Sequence, residues 1–276
     1  MCGPVPVMQD RACSWNPLGF RRPTIAPAWR DLTLVGSQGP YDALGVIRRA
    51  KRGAVRIYQV VVLTVVAGTL APIALHHQAH DVWNVHQMAL AFFLWLNFII
   101  ALWEICLFLR IDRIEKDYAR FAEQYVGRPL DRVKDFFFTK ISVPQIFSPT
   151  TWSEIWSSYA LFDPAYADRK SFGFWIDTGN GFSTSVASLL CLSGMTYQFM
   201  PARAFGLVML LACYQMGYGA LIYFCAFVFN KRYVGHSAGE LALFVGLSNG
   251  IWLFFPGWGI WAAIQVIYQD SYAVFM

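Results

Sequence analysis

The chain has 276 residues, 57% of them hydrophobic and 14% charged, with a net charge of +5. An average soluble domain carries about 25% charged residues, so this composition excludes a water-soluble enzyme and predicts a polytopic membrane protein. The positive charge flanks apolar segments, which excludes nucleic acid as the partner and points to the lipid bilayer.

Residues 1–54 read as a Pro-rich and basic tail. Pro4, Pro6, Pro17, Pro23 and Pro27 interrupt it, and no apolar core of a cleavable signal peptide is expected there. Trp15, Phe20 and Trp29 are placed to dip into headgroups; the alternative is a weakly ordered tail. Arg48, Arg49, Lys51, Arg52 and Arg56 form a juxtamembrane cluster that fixes orientation or binds anionic lipid.

Residues 55–270 predict an all-α fold, a helical bundle with five transmembrane helices at about 57–75, 87–109, 174–196, 204–229 and 241–266. Each is near the roughly 20 residues needed to cross a bilayer. Pro72 is expected to kink the first near its end. The third is the least apolar, with Asp177, Thr178, Asn180, Ser183, Thr184, Ser185 and Ser188, and should face protein or water.

Of the 22 Lys and Arg, only Arg203 falls on the far side of this arrangement. The bias predicts a cytoplasmic N-terminus and a far-side C-terminus, in the endoplasmic reticulum membrane if the source is eukaryotic. The loop 111–173 opens with an apolar stripe, Ile111, Ile114, Tyr118, Phe121, Ala122 and Tyr125. That spacing predicts an amphipathic cytoplasmic or interfacial helix continuing the second span to about Tyr125. A second amphipathic piece is expected over Thr151 to Tyr159, capped by Thr150 or Thr151 with Glu154. The apolar outer faces permit a homodimer.

Among 17 acidic residues, only Glu104 and Asp177 lie inside predicted spans. An ionisable group there is costly and marks a site. Glu104 precedes Arg110 by about 9 Å of helix, and Asp177 follows Lys170 by about 10 Å, at 1.5 Å per residue. The two spans are antiparallel, so both acids reach a similar depth from the same side. Asn249 lies about 13 Å past Glu240 on the same measure, with Trp252 a turn further on the same face. Tyr218 and Tyr223 on the fourth span, and Trp103 beside Glu104, complete a candidate substrate cavity. Two carboxyl groups in such a cavity suit general acid–base work, and aromatic faces suit a carbocation. The alternative use of the two acids is to bond neighbouring helices.

His76, His77, His80 and His86 with Asp81 fall near a short far-side loop. His76 and His80 are one turn apart, but interfacial loop histidines are the simpler reading and no metal is expected. Cys106, Cys191, Cys213 and Cys225 lie in apolar runs and read as packing residues. No phosphate loop or nucleophile elbow is present, so no cofactor is expected, and Gly179 to Gly181 reads as close helix packing.

Tyr159, Asp163 and Tyr166, followed eleven residues later by Asp177, resemble the lead-in to the third span of the emopamil-binding protein family, within the EXPERA domain. Tyr218-Gly219-Ala220-Leu221-Ile222-Tyr223-Phe224 is similar to its fourth span, and Asn249-Gly250-Ile251-Trp252-Leu253-Phe254-Phe255-Pro256-Gly257 to its fifth. Glu104 falls where the second span carries the family's catalytic acid. The resemblance covers roughly 57–266. It implies a sterol Δ8–Δ7 isomerase-like enzyme, with Glu104 and Asp177 as the acid–base pair, Asn249 in support and Trp252 facing the cation. The expected partner is a sterol-like or isoprenoid lipid. In the sterol isomerases a His lies four residues before the span-two acid; here that residue is Ile100. Asp177 also stands where the family usually has Glu. These departures keep open a non-catalytic lipid receptor, and a membrane terpene cyclase is a third reading.

Overall fold

The computed structural model describes residues 55–276, the side chain of residue 244 excepted. The readings made of residues 1–54 lie outside it. Among the described residues, four helices are long and apolar enough to cross a membrane. They are α1 (Ile57–His80), α2 (Val85–Leu109), α8 (Ala202–Phe229) and α9 (Ala238–Gln269). Between α2 and α8 come α3 (Ile111–Gln124), α4 (Pro129–Phe138), α5 (Val143–Ile146), α6 (Pro149–Tyr159) and α7 (Phe172–Tyr197). A two-stranded clasp pairs β1 (Val55–Arg56) with β2 (Lys140–Ile141) in antiparallel register.

α7 has 26 residues, but its Ser and Thr content keeps it outside the four apolar helices. It packs along α2 for most of its length, as α8 does along α9. Thr178, Thr184, Ser185 and Ser188 are buried, so its polar face is turned to protein. α1 lies at the margin of the bundle, with only Ile57, Ile73 and His76 buried. It docks through a notch: Trp95 lies against Gly68, and its indole N–H donates to the Thr64 carbonyl at 2.8 Å. A Cβ at position 68 would overlap that ring, so only glycine leaves room.

Several elements differ from the sequence reading. α1 runs through Pro72 to His80, past the expected end at 75. The second span does not continue to Tyr125. The helix breaks at Arg110, which has φ −129° and ψ 22°, and α3 starts afresh. α6 is not capped by Thr150 or Thr151; Ser148 is its N-cap residue and Pro149 its first helical residue, while Glu154 pairs with Arg132. His76, His77 and His80 lie within α1, not in a loop. His76 is buried between the carbonyls of Met195 and Phe275, and His80 meets that of Thr196. These rings tie the last turns of α1 to the end of α7 and to the C-terminal segment. Cys106, Cys191 and Cys213 are buried, but Cys225 is exposed and is not a packing residue.

Among the described residues, two larger apolar clusters fill the bundle, and a smaller one, Ile57, Phe136 and Ile141, lies at the start of α1. Of the larger two, one joins α2, α7, α8 and α9 through Leu90, Phe93, Met195, Phe205, Met209 and Val266. The other lies beneath α6 and includes Leu107, Trp156, Tyr166, Phe174, Tyr223 and Phe227. Between them the apolar packing is interrupted, and there the candidate site lies.

Candidate functional site

Glu104, Asp177, Asn249, Trp252, Tyr223 and Trp103 all line one cavity of about 260 Å³. The structure therefore brings together six of the seven residues that the sequence singled out. Tyr218 is not among them. It is 48% exposed and stacks on Tyr214 at the outer surface of α8. Tyr223 is five residues further on, about 500° around a helix, so the two cannot share a face.

Glu104 and Asp177 approach through the tight α2–α7 contact. Gly181, one turn beyond Asp177, stands directly against Glu104. A methyl there would lie 2.8 Å from the Glu104 Cβ and 3.0 Å from both the Ala101 carbonyl oxygen and the Ile105 nitrogen. The missing side chain at 181 lets the two backbones close until the carboxyl groups share one cavity. Glu104 is 8% exposed. Tyr166 lines the same cavity as Asp177.

Asn249 is delivered by an irregularity. α9 widens into a π-helical turn over Leu241–Leu247 and resumes α geometry at Ser248. Such a turn inserts an extra residue and rotates the remainder of the helix about its axis. It precedes the stretch carrying Asn249 and Trp252. The Asn249 amide nitrogen donates to the Tyr159 hydroxyl at 3.1 Å and to the Val245 carbonyl at 3.1 Å. The Tyr159 and Tyr223 hydroxyls meet at 3.1 Å. Burial pushes the Tyr159 phenol up to about 12, against the opposing effect of its bonds to Tyr223 and Asn249. It therefore stays a neutral hydrogen-bonding group at ordinary pH.

Trp252 is held by its edge. Its indole N–H donates to the Asn97 side-chain oxygen at 2.9 Å. The Asn97 amide in turn donates to Thr184 Oγ1 at 3.1 Å and Ser188 Oγ at 3.0 Å. With the indole nitrogen bound, the ring orientation is fixed at the cavity wall.

The floor comes from the segment between the spans. Trp156 Nε1 donates to the Trp103 carbonyl at 2.7 Å, docking α6 on α2. Asp163 is fully buried and accepts from Arg232 Nη1 at 2.6 and 2.8 Å, while also capping the Ala165 N–H. This ion pair joins the turn carrying Tyr166 to the end of α8. Val133 and Phe137 of α4 also reach the cavity.

The sequence reading missed Asn97, Asn180 and the α4 residues as lining groups, and took Tyr159 and Tyr166 from resemblance alone. Asn97 could have been found: it lies two turns before Glu104 on the same face. Asn180 is one turn past Asp177. For Val133 and Phe137 no local signal exists, because their placement depends on how α4 packs against α1 and α6.

Chemically, the cavity offers two carboxyl groups, an amide, a tyrosine cluster and an indole face within apolar walls. Such a set can donate and accept protons on a bound apolar molecule. Fold and site together describe a helical protein with four helices long and apolar enough to cross a membrane among the described residues, and an acid-bearing cavity between helices. No protein-family model, curated protein or solved structure matches the chain.

Proposed function

We propose that this protein is an integral-membrane isomerase that shifts a double bond in a sterol-like or polycyclic isoprenoid lipid. The observation that carries the reading is the convergence of Glu104 and Asp177, from antiparallel helices, on one cavity walled by Trp252. A carboxylic acid adds its proton to one alkene carbon, leaving a cation next to the indole face. A carboxylate then removes a proton from a neighbouring carbon. Proton and electron count balance without a cofactor. Small-molecule pockets run from about 300 to 1,000 Å³, so a cavity of about 260 Å³ suits the ring portion of such a lipid, with the remainder reaching the bilayer. The reading extends the resemblance to the emopamil-binding protein family.

α7 is the fifth membrane-crossing helix in this proposal, shielded from lipid along its polar face by α2 and α8. Arg110, Arg169 and Arg232 gather at the α3–α6 end, which is cytoplasmic on the positive-inside rule. The N-terminus is then cytoplasmic, and a glycosylation tag on the C-terminus should be modified.

One observation favours a second reading, a lipid receptor without turnover: Ile100 lines the cavity one turn before Glu104, where an imidazole would otherwise assist the acid. Incubating purified protein with a Δ8-sterol in deuterated water separates the two. The isomerase reading expects deuterium gain and double-bond migration, both abolished in Glu104→Gln and in Asp177→Asn. Sterol binding without exchange, across several sterols, overturns it in favour of the receptor.

A further inference from the structure

Within the segment from Phe138 to Phe147, Ile141 packs against Ile57 and Phe136, while the side chains of Phe138, Val143 and Phe147 serve neither the cavity chemistry nor the core. The segment's β2 strand pairs with β1 in the register Arg56 with Lys140, and the Ile57 N–H donates to the Thr139 carbonyl at 3.1 Å. The segment is therefore fastened to the first turn of α1. α1 has 24 residues, about 36 Å at 1.5 Å per residue, against a hydrocarbon core of about 30 Å. Its first turn stands at headgroup level, and the clasp stands there with it.

The side chains match that level. Phe138, Val143 and Phe147 are 58%, 60% and 81% exposed. Nothing in a water-exposed loop favours three such groups in ten residues, whereas the headgroup–acyl boundary does. Arg56 and Lys140, opposite each other in the clasp, are both exposed. The Arg56 guanidinium lies 5.9 Å from the Phe138 ring centre, and Phe138 meets Tyr58 on α1 at 5.3 Å. The surface continues directly into the lipid-facing side of α1, where Val62, Leu63, Val66 and Leu70 are exposed.

We propose that residues 138–147 form an interfacial foot that seats in the headgroup layer of an anionic phospholipid bilayer, with Phe138, Val143 and Phe147 in the acyl boundary and Arg56 and Lys140 on lipid phosphates. The foot is also wired to the cavity. Trp152 donates its indole N–H to the Ile146 carbonyl at 2.7 Å and stacks on Trp103, which lines the cavity. The residue before the foot, Phe137, lines the cavity as well. Seating the foot thus fixes the outer wall of the site. This inference rests on the chain spanning a membrane, not on the isomerase reading.

The test uses the full chain with Cys2, Cys13 and Cys225 replaced by Ser, spin-labelled at Val143→Cys or Phe147→Cys. Leu63→Cys serves as the lipid-facing reference and Glu123→Cys as the aqueous one. Each protein is placed in nanodiscs of phosphatidylcholine, or of phosphatidylcholine with phosphatidylserine. Accessibility to oxygen and to a water-soluble nickel chelate is then read by electron paramagnetic resonance. With phosphatidylserine present, labels at 143 and 147 should be severalfold less accessible to the chelate than the label at 123, with oxygen access near that at 63. Arg56→Glu with Lys140→Glu should abolish the part of this shift that depends on phosphatidylserine. Chelate access equal to position 123 in both bilayers overturns the proposal, as does shielding from both reagents, which would mark burial against protein. Equal depth in the two bilayers overturns its anionic component.

Discussion

The Trp252 indole N–H donates to the Asn97 side-chain oxygen at 2.9 Å, a single bond that joins α9 to α2 beside the cavity. Asn97 is 4% exposed and also donates to Thr184 and Ser188 on α7. One amide therefore ties three helices. Interhelical hydrogen bonds in membranes average about 0.6 kcal/mol and reach about 1.7. Asn97→Leu breaks several at once and should cost about 1–2 kcal/mol on that scale, read by equilibrium unfolding in mixed detergent and SDS. Trp252→Phe should lose less, and the double variant should lose less than the sum, because both singles remove the same bond.

Ile100 lines the cavity one turn before Glu104. Ile100→His places an imidazole where it can pass a proton to that carboxyl. If the chain is an isomerase, deuterium incorporation into a Δ8-sterol should rise about tenfold, less than the 10²–10⁴ available to an ideally placed acid. No gain, with sterol binding retained, supports the receptor reading.

The two glycines of the α7 polar stretch should respond in opposite ways. A Cβ at Gly181 meets the Ala101 and Ile105 backbone at 3.0 Å, and backbone cannot swing aside. Gly181→Ala should cost about 1–3 kcal/mol through overpacking and separate Glu104 from Asp177. A methyl group at Gly179 would have nothing within 4 Å of it. Gly179→Ala should be neutral, or stabilise by up to about 1 kcal/mol through helix propensity. Thermal unfolding in detergent compares them directly, and equal losses would refute the packing argument.

Asp163 is fully buried and its partner Arg232 is partly exposed. Removing one member of a buried pair costs about 3–5 kcal/mol, because a charge is left without compensation. Arg232→Met should therefore be severely destabilising, and Asp163→Leu with Arg232→Met should recover much of the loss. The readout is the fraction of folded protein after detergent extraction. A double variant no better than the single would show that the pair has a further role in placing Tyr159 and Tyr166.

The architecture was legible where hydrophobicity is continuous. The helices observed at Val85–Leu109 and Ala202–Phe229 begin within two residues of the expected spans, because nothing but a membrane or a buried core explains such runs. Glu104 and Asp177 were legible for the converse reason, as charges where charges are costly. The hidden features depend on contacts between distant segments. Arg110 looks like any interfacial arginine, yet the chain turns there. The π-helical turn before Asn249 leaves no local pattern, since Leu241 to Leu247 reads as ordinary apolar helix. Tyr218 misleads because aromatics close in sequence on one helix need not share a face, as 100° per residue separates them.

Arg169 clasps the first turn of α3, bonding Asp112 and donating to Glu115 Oε1 at 3.0 Å. The Arg169 hydrogen bond and charge hold the Asp112 carboxyl below its usual range. A carboxyl depressed in the folded state stabilises above its unfolded value, and that contribution is lost as pH falls through the folded one. The clasp should thus persist at neutral pH and open in acid, below about pH 4. Both side chains are exposed, so the effect is small and screened by salt. Hydrogen exchange at the start of α3 should accelerate as pH falls, after correction for the intrinsic rate, and by less in high salt, where the pair is already screened. In Arg169→Gln exchange should be fast at all pH values. An unchanged pH profile in that variant would show that the α3 junction is held by packing of Ile114 alone.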